Sequence, residues 1–483
     1  MNPTLEKILV KAAIPIANKS EWFRQLAKGK MILRLKKAYE STAKDEEALD
    51  YQRVFGLAVL PFLEALVVRK PRAARRLVDF AFQWTEDMEK RVAFREQGLM
   101  APDTYVVEPT NRCNLNCSGC YANSIRQGSD LPYSVLEKID DEMREMGTTL
   151  TTISGGEPFI AERKERAITR LAEHCLEKGN RGGFLVYTNG TLIDKEIARR
   201  LGDLGNIWPA ISIEGFAEST KKRRGDDIID KIKRAKDFLN EQGVMYGFSA
   251  TATNLNAEEI ASDRFFQERI DDGDSFGWIF IYQPIGRGVN ADLMVTGEQR
   301  YKIGKKVMEM QIEKENPLFL GDFWNYGPFV EGCIAGGKCY FHIMASGVIS
   351  PCVFSPFGVA NLNEIKSFSE FYPETEKKFR NLQEAITSQE TFQFYRRQQD
   401  KITDRFRPCV LIDHPHLARE IFSTKYCFAT NNTPEDYFEG RIASIIDKRA
   451  REWKEIWAPR LREYAETLIA KKLEKQKAII SEI

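Results

Sequence analysis

TYVVEPTNRCNLNCSGCY, residues 104–121, is the stretch from which the rest of the chain can be read. Its first six residues, TYVVEP, are a short apolar run closed by a proline, the pattern of a strand. Directly behind it Cys113, Cys117 and Cys120 stand with three and two residues between them, in a chain with nine cysteines. Thiolates are soft ligands that suit zinc or iron–sulfur clusters. A closed zinc site needs a fourth ligand close by, and the next candidates are as far away as His174 and Cys175. Three thiolates on an iron–sulfur cluster would instead leave one iron open to a small molecule.

Working outward, five more strand-like runs follow: LTTISGGEP, GFLVYTNG, PAISIEG, YGFSATATN and FGWIFIYQPIGR. Helical patterns such as SVLEKIDDEMREMG and DKEIARRLGDLG separate them. This alternation predicts an α/β fold built on a parallel sheet. In such sheets ligands gather at the carboxyl ends of the strands, where the glycine-rich and polar segments of these runs fall.

CNLNCSGCY after a strand resembles the CxxxCxxC signature of the radical S-adenosylmethionine (SAM) enzymes, and GGEP at 155–158, TNG at 188–190, SIEG at 212–215 and PIG at 284–286 match further family segments in the family's order. The resemblance implies a partial (β/α)6 barrel and a 4Fe–4S cluster on Cys113, Cys117 and Cys120, whose open iron is chelated by the amino and carboxylate groups of SAM. It puts Gly155, Gly156 and Glu157 at the SAM ammonium, with Glu157 as counter-charge. Asn189, Ser212 and Glu214 fall at the carboxylate and ribose hydroxyls, Tyr121 lies beside adenine, and Ile285 and Gly286 join it from the sixth strand. The implied reaction is one-electron cleavage of SAM to methionine and a 5′-deoxyadenosyl radical, which takes hydrogen from an unactivated C–H bond. The electron comes from an external donor such as a flavodoxin or ferredoxin.

EGCIAGGKCYFHIMASGVISPC, residues 331–352, spaces Cys333, Cys339 and Cys352 as Cx5C then x12. This resembles the start of the SPASM and twitch auxiliary-cluster domains; the dense cysteine block that completes a full SPASM domain is missing, and Cys409 and Cys427 remain. The resemblance implies one auxiliary 4Fe–4S cluster on Cys333, Cys339, Cys352 and Cys409, with Cys427 competing for the fourth place and buried structural cysteines or a zinc site as the plainer alternative. Cys175 beside His174 reads as packing, and His414 and His416 as loop structure.

Lys plus Arg (71) and Asp plus Glu (70) nearly cancel, which gives no footing for a nucleic-acid partner. Residues 1–100 read as helical and hold 19 Lys/Arg against 13 Asp/Glu. Their longest apolar run, FGLAVLPFLEALVV at 55–68, is shorter than the roughly 20 residues a spanning helix needs. No secretory signal is visible, so a cytoplasmic protein is expected, with the basic helices as a contact to the membrane surface or as a structural cap. Four segments are expected: a helical extension (1–100), the barrel (101–295), the auxiliary-cluster region (296–430) and a terminal amphipathic helix (431–483). In that helix Trp453, Trp457, Leu461, Tyr464 and Leu468 form a docking stripe. Three functions fit the sequence: a radical SAM enzyme acting on a lipid, isoprenoid or other hydrophobic substrate, a peptide or protein maturase, or a non-catalytic iron–sulfur electron-transfer protein.

Overall fold

The computed structural model describes residues 45–225 and 227–481, so the helices expected within 1–44 lie outside the described residues. All six strand-like runs become strands: β1 (Thr104–Val107), β2 (Leu150–Ile153), β3 (Gly183–Thr188), β4 (Ile207–Ser212), β5 (Gly247–Ala252) and β6 (Phe276–Ile281). They lie side by side in chain order and pair in parallel throughout. Helices return the chain between them, as the alternation of strand and helix patterns requires.

The sheet does not stop at the barrel. β7 (Phe319–Asp322) adds a parallel strand beside β6. On the other edge β8 (His342–Ile343) pairs in parallel with β1, and β9 (Val348–Ser350) and β11 (Ala360–Asn361) continue outward antiparallel. β10 (Phe357–Gly358) pairs instead with β12 (Phe428–Ala429) in a separate two-stranded ribbon. The segment that carries the second set of cysteines is thus stitched to the edge strand that leads into the first set. A buried polar link backs the junction: His342 Nε2 lies 3.2 Å from Glu108 Oε1, and Glu108 Oε2 accepts the Ala345 N–H at 3.2 Å.

Side chains on the two faces of the sheet meet different partners. Phe184, Val186, Ile207 and Ile211 join the main core under the barrel's outer helices. Alternate residues Leu185, Tyr187, Trp208 and Ala210 point to the inner face, as the two-residue period of a strand demands. Helices α1 (Glu46–Ala58), α2 (Leu60–Arg69) and α3 (Pro71–Glu96) precede β1; α2 and α3 cover that inner face, while α1 packs into the main core through Tyr51, Val54 and Ala58. Phe62 and Leu66 of α2 and Ala73 and Ala74 of α3 pack there against Leu185, Trp208, Met245 and Phe276. The basic and apolar helices are therefore a plug in the barrel as far as they are described.

The run Glu46–Arg69 corrects the expectation drawn from its apolar core alone. It is 24 residues long with a hydropathy of 1.5, enough by length and composition to cross a membrane. Leu60, Phe62 and Leu66 of this run are buried in the protein and Tyr51 packs edge-on against Phe329 at 5.2 Å, while Val68 stays exposed. The C-terminal stripe also docks: Trp453, Leu461 and Leu468 are buried, Trp453 donates to Phe406 O at 3.0 Å, and Trp457 stacks near Tyr301 at 5.4 Å.

Candidate active site

A cleft opens at the carboxyl ends of β1–β6, on the same face of the sheet as the plug. Each strand contributes to it: Val106, Ser154 just past β2, Tyr187 and Thr188, Ser212, Ser249 and Thr251, and Phe280 and Ile281. Its empty volume, mouth included, is about 1040 Å³.

The three clustered cysteines line this cleft together. Their loop has no regular structure and is held from outside: Cys113 N–H donates to Ile125 O at 3.0 Å, and Arg112 binds Gly128 O at 3.1 Å and Asp130 at 3.1 Å. Donors approach the sulfurs of Cys113 and Cys117, while that of Cys120 donates. Leu115 N lies 3.4 Å and Asn189 Nδ2 3.9 Å from Cys113 Sγ, Arg224 Nη1 is 4.0 Å from Cys117 Sγ, and Cys120 Sγ donates to Ser124 Oγ at 3.7 Å. Burial pushes the Cys113 thiol up to about 12, so it becomes a thiolate when a metal replaces its proton. Among the described residues no three His, Cys, Asp or Glu converge closely enough for a single metal ion. The soft donor set and its wider spacing fit a cluster better than zinc.

Of the expected SAM contacts, Tyr121, Gly155, Gly156, Asn189 and Ser212 line the cleft. Glu157, Glu214, Ile285 and Gly286 do not, and the reason lies in each residue's partners. The Glu157 carboxylate is fully buried and accepts from Phe159 N (3.1 Å), Thr188 Oγ1 (2.7 Å) and Asn189 N (2.7 Å). It caps the helix Pro158–Glu165 and fixes the TNG turn, and burial raises its pKa. Glu214 is held by Arg223 Nη1 at 2.6 Å and by both Arg224 Nε and Nη2, with Thr251 N at 3.2 Å. Ile285 is fully buried. Gly286, at φ +80°, presses on the cysteine loop: a Cβ there would lie 2.2 Å from Cys120 O.

The glycines of GGEP serve the same packing. Gly156 N donates to Thr110 O at 2.9 Å, and a Cβ on Gly156 would sit 2.0 Å from Arg112 O. Only glycine lets these two loops cross so closely.

Several lining residues were not expected. Arg223 and Arg224 bring positive charge to the cleft from the end of the helix Ala217–Arg224. Gln283, 3% exposed, lines it with an Oε1 that has no hydrogen-bond partner. Val353 and Phe354 reach it from the second cysteine region.

That region gathers Cys333, Cys339, Cys352 and Cys409 near one another, so that charge on one raises the pKa of its neighbours: Cys333 acts on Cys339, and Cys333 and Cys352 act on Cys409. Cys427 takes no part; burial alone pushes it up, to about 12. Cys409 is positioned by Asp413, whose Oδ2 accepts its N–H at 3.0 Å while Oδ1 binds Arg300 at 2.5 Å. Tyr437 is buried beside Cys409 and Cys352 with a hydroxyl that has no hydrogen-bond partner, an orphan donor that a cluster's sulfides would satisfy. Cys175 is buried in the helix Ala167–Glu177 as expected, whereas His414 and His416 do not sit in a loop: Pro415 opens the helix Pro415–Phe422, His414 stands at its N-cap with Nε2 2.9 Å from Arg407 O, and His416 lies in its first turn.

Residues 107–262 match the family model of the radical SAM superfamily. The chain carries a radical SAM domain. Such a domain uses a 4Fe–4S cluster and SAM. Among curated proteins it is similar to Fe-coproporphyrin III synthase of Methanosarcina barkeri, 32% identical over 33% of this chain and 40% of that protein. It is 25% identical to AdoMet-dependent heme synthase of the same organism over 59% of this chain and 85% of that protein. It is 27% identical to mycofactocin maturase MftC of Mycolicibacterium smegmatis, over 54% of this chain and 64% of that protein. Native anSMEcpe, solved with bound AdoMet and Cp18Cys peptide, shares the fold at a TM-score of 0.50 and 18% identity, over 76% of this chain and 99% of that one.

Proposed function

We propose that this chain is a radical SAM enzyme that removes a hydrogen atom from an unactivated C–H bond of a peptide or protein side chain, with SAM held over a cluster on Cys113, Cys117 and Cys120. A second 4Fe–4S cluster sits on Cys333, Cys339, Cys352 and Cys409. The observation that carries this reading is that the run Cys352–Phe354 begins at a cysteine of the second set and ends in the wall of the cleft that the first set lines. When bound, the cluster and SAM supply one-electron cleavage of SAM and the hydrogen-atom removal that follows.

The chain's own residues bind, orient and exclude water. Asn189 and Ser212 offer hydrogen bonds, and Arg224 offers a cation to the SAM carboxylate. Tyr121 flanks the adenine, and the orphan Gln283 Oε1 accepts an N–H of SAM or substrate. Tyr187, Phe280, Val353 and Phe354 give the substrate an apolar wall that keeps water out.

The cleft is open to solvent at its mouth, which lets a side chain of a peptide or protein enter it. The likeness to a maturase supports such a substrate too. A second reading, a flat hydrophobic small molecule, has in its favour the aromatic wall and the likeness to a heme synthase. In both readings the electron arrives from a flavodoxin- or ferredoxin-type donor in a reducing cytoplasm, which suits nine cysteines without a disulfide. The test is 5′-deoxyadenosine formation by anaerobically reconstituted, dithionite-reduced enzyme. Wild type should form it and Cys117→Ala should not; equal formation by both would refute the assignment. Stimulation by added peptides but not by tetrapyrroles favours the first substrate reading, and the reverse favours the second.

A further inference from the structure

One buried tyrosine adjoins two of the auxiliary cysteines in a way the proposed chemistry does not use. Tyr340 follows Cys339 directly, is 3% exposed, and places its hydroxyl oxygen 2.8 Å from Cys352 Sγ. The same sulfur receives the Phe354 N–H at 3.4 Å. Either atom of the hydroxyl–thiol pair could donate while Cys352 keeps its proton, but a sulfur that ligates iron has none, and the tyrosine must then be the donor. Packing holds the phenol in place: the Tyr340 ring meets Phe323 edge-on at 6.1 Å, Phe323 meets Phe354 at 5.7 Å, and Phe354 meets Tyr121 at 5.5 Å. The donor therefore sits at the auxiliary end of a row of rings that reaches the cleft.

We infer that Tyr340 is a positioning residue for electron transfer, donating a hydrogen bond to Cys352 Sγ that raises the reduction potential of the auxiliary cluster. The inference rests on the auxiliary cluster proposed above. Its physical basis is that the sulfurs of a reduced cluster carry more negative charge than those of the oxidised one. A fixed O–H dipole aimed at one of them stabilises the reduced state more. Burial strengthens the effect, because little water competes for the sulfur in a low-dielectric surround.

The experiment is an anaerobic redox titration of full-length reconstituted protein, followed by EPR, for wild type and Tyr340→Phe. Tyr340→Phe keeps the ring and removes only the hydroxyl, so its auxiliary signal should titrate at a more negative potential while the signal of the SAM-binding cluster stays where it was. An unchanged auxiliary potential overturns the inference. Replacing Tyr340 with 3-fluorotyrosine, whose more acidic hydroxyl is a stronger donor in nearly the same volume, should move the potential the opposite way. That variant decides the matter should Tyr340→Phe fail to load its cluster. Iron analysis separates the two layers of the claim. Wild type with only one cluster's iron overturns the auxiliary cluster and the inference together. Full loading with no shift in either variant overturns the hydrogen-bond role alone.

Discussion

Glu214 and its two arginines carry the residue-scale lesson. The SIEG segment was expected to turn its carboxylate toward SAM, yet Glu214 is 1% exposed and its oxygens are taken by Arg223, Arg224 and Thr251. Burial would raise its pKa, but the guanidiniums outweigh that and bring it below the usual carboxylate value. A carboxyl depressed in the folded state stabilises the fold above its unfolded pKa, and that stability is lost as pH falls through the folded value. Glu214→Gln should therefore destabilise the protein by about 1.5–3 kcal/mol at neutral pH, because it removes the charge-assisted hydrogen bonds that the buried carboxylate accepts from Arg223 and Arg224. It should also flatten the acid limb of a pH–stability curve measured by urea unfolding. An acid limb as steep as wild type would contradict the role. The signal for these arginines was in the sequence: a strand-end acid followed within ten residues by KKRR. Read alone, such a run is a solvated surface, and only folding the helix Ala217–Arg224 back over the strand end shows two of its cations turned inward. The cysteine motif needed no such fold, since its donors sit within eight residues of one another.

At the scale of elements, the plug helices α2 and α3 share one apolar cluster with Tyr187, which lines the cleft. Phe62→Ala should cost about 3–5 kcal/mol, as for a buried aromatic in a sheet–helix core, readable as a lowered melting temperature. A surface helix bound to lipid would lose little. Where α2 meets α3, Lys70 is 6% exposed, donates to Gly273 O at 3.0 Å and sits 3.9 Å over the Tyr246 ring. Burial lowers its pKa from 10.5 to about 7. Between those values the unfolded chain holds a proton that the folded chain lacks, so this group makes stability rise with pH across that window and adds no slope below it. Lys70→Met should remove that rise in unfolding titrations; a slope unchanged from wild type would show that the lysine is not buried in solution. The six strands were legible because each ends in a glycine, proline or polar residue after an apolar run. The plug was not, because basic helices with one apolar face look alike whether that face meets a membrane or a sheet.

For the whole molecule, the expected division between barrel and auxiliary region is bridged by one sheet, with β8 on the edge strand β1 and β7 on β6. Periodicity could not announce this: β8 and β9 are two and three residues long, too short for a period to show. The consequence is that the two cysteine sets are held by one continuous framework, and a change in one region is felt as position in the other. Trp453→Ala illustrates its reach. It should cost about 3–5 kcal/mol. It should also loosen the loop of Cys409, because Trp453 underlies Arg300 at 3.9 Å and Arg300 holds Asp413. The most direct test of the account is the iron and acid-labile sulfide content of anaerobically reconstituted wild type, Cys117→Ala, Cys409→Ala and Cys427→Ala. The account predicts about eight irons in wild type, about four in each of the first two variants and about eight in Cys427→Ala, as two 4Fe–4S sites require. Unchanged iron in Cys409→Ala, or a loss in Cys427→Ala equal to that of Cys117→Ala, would contradict it.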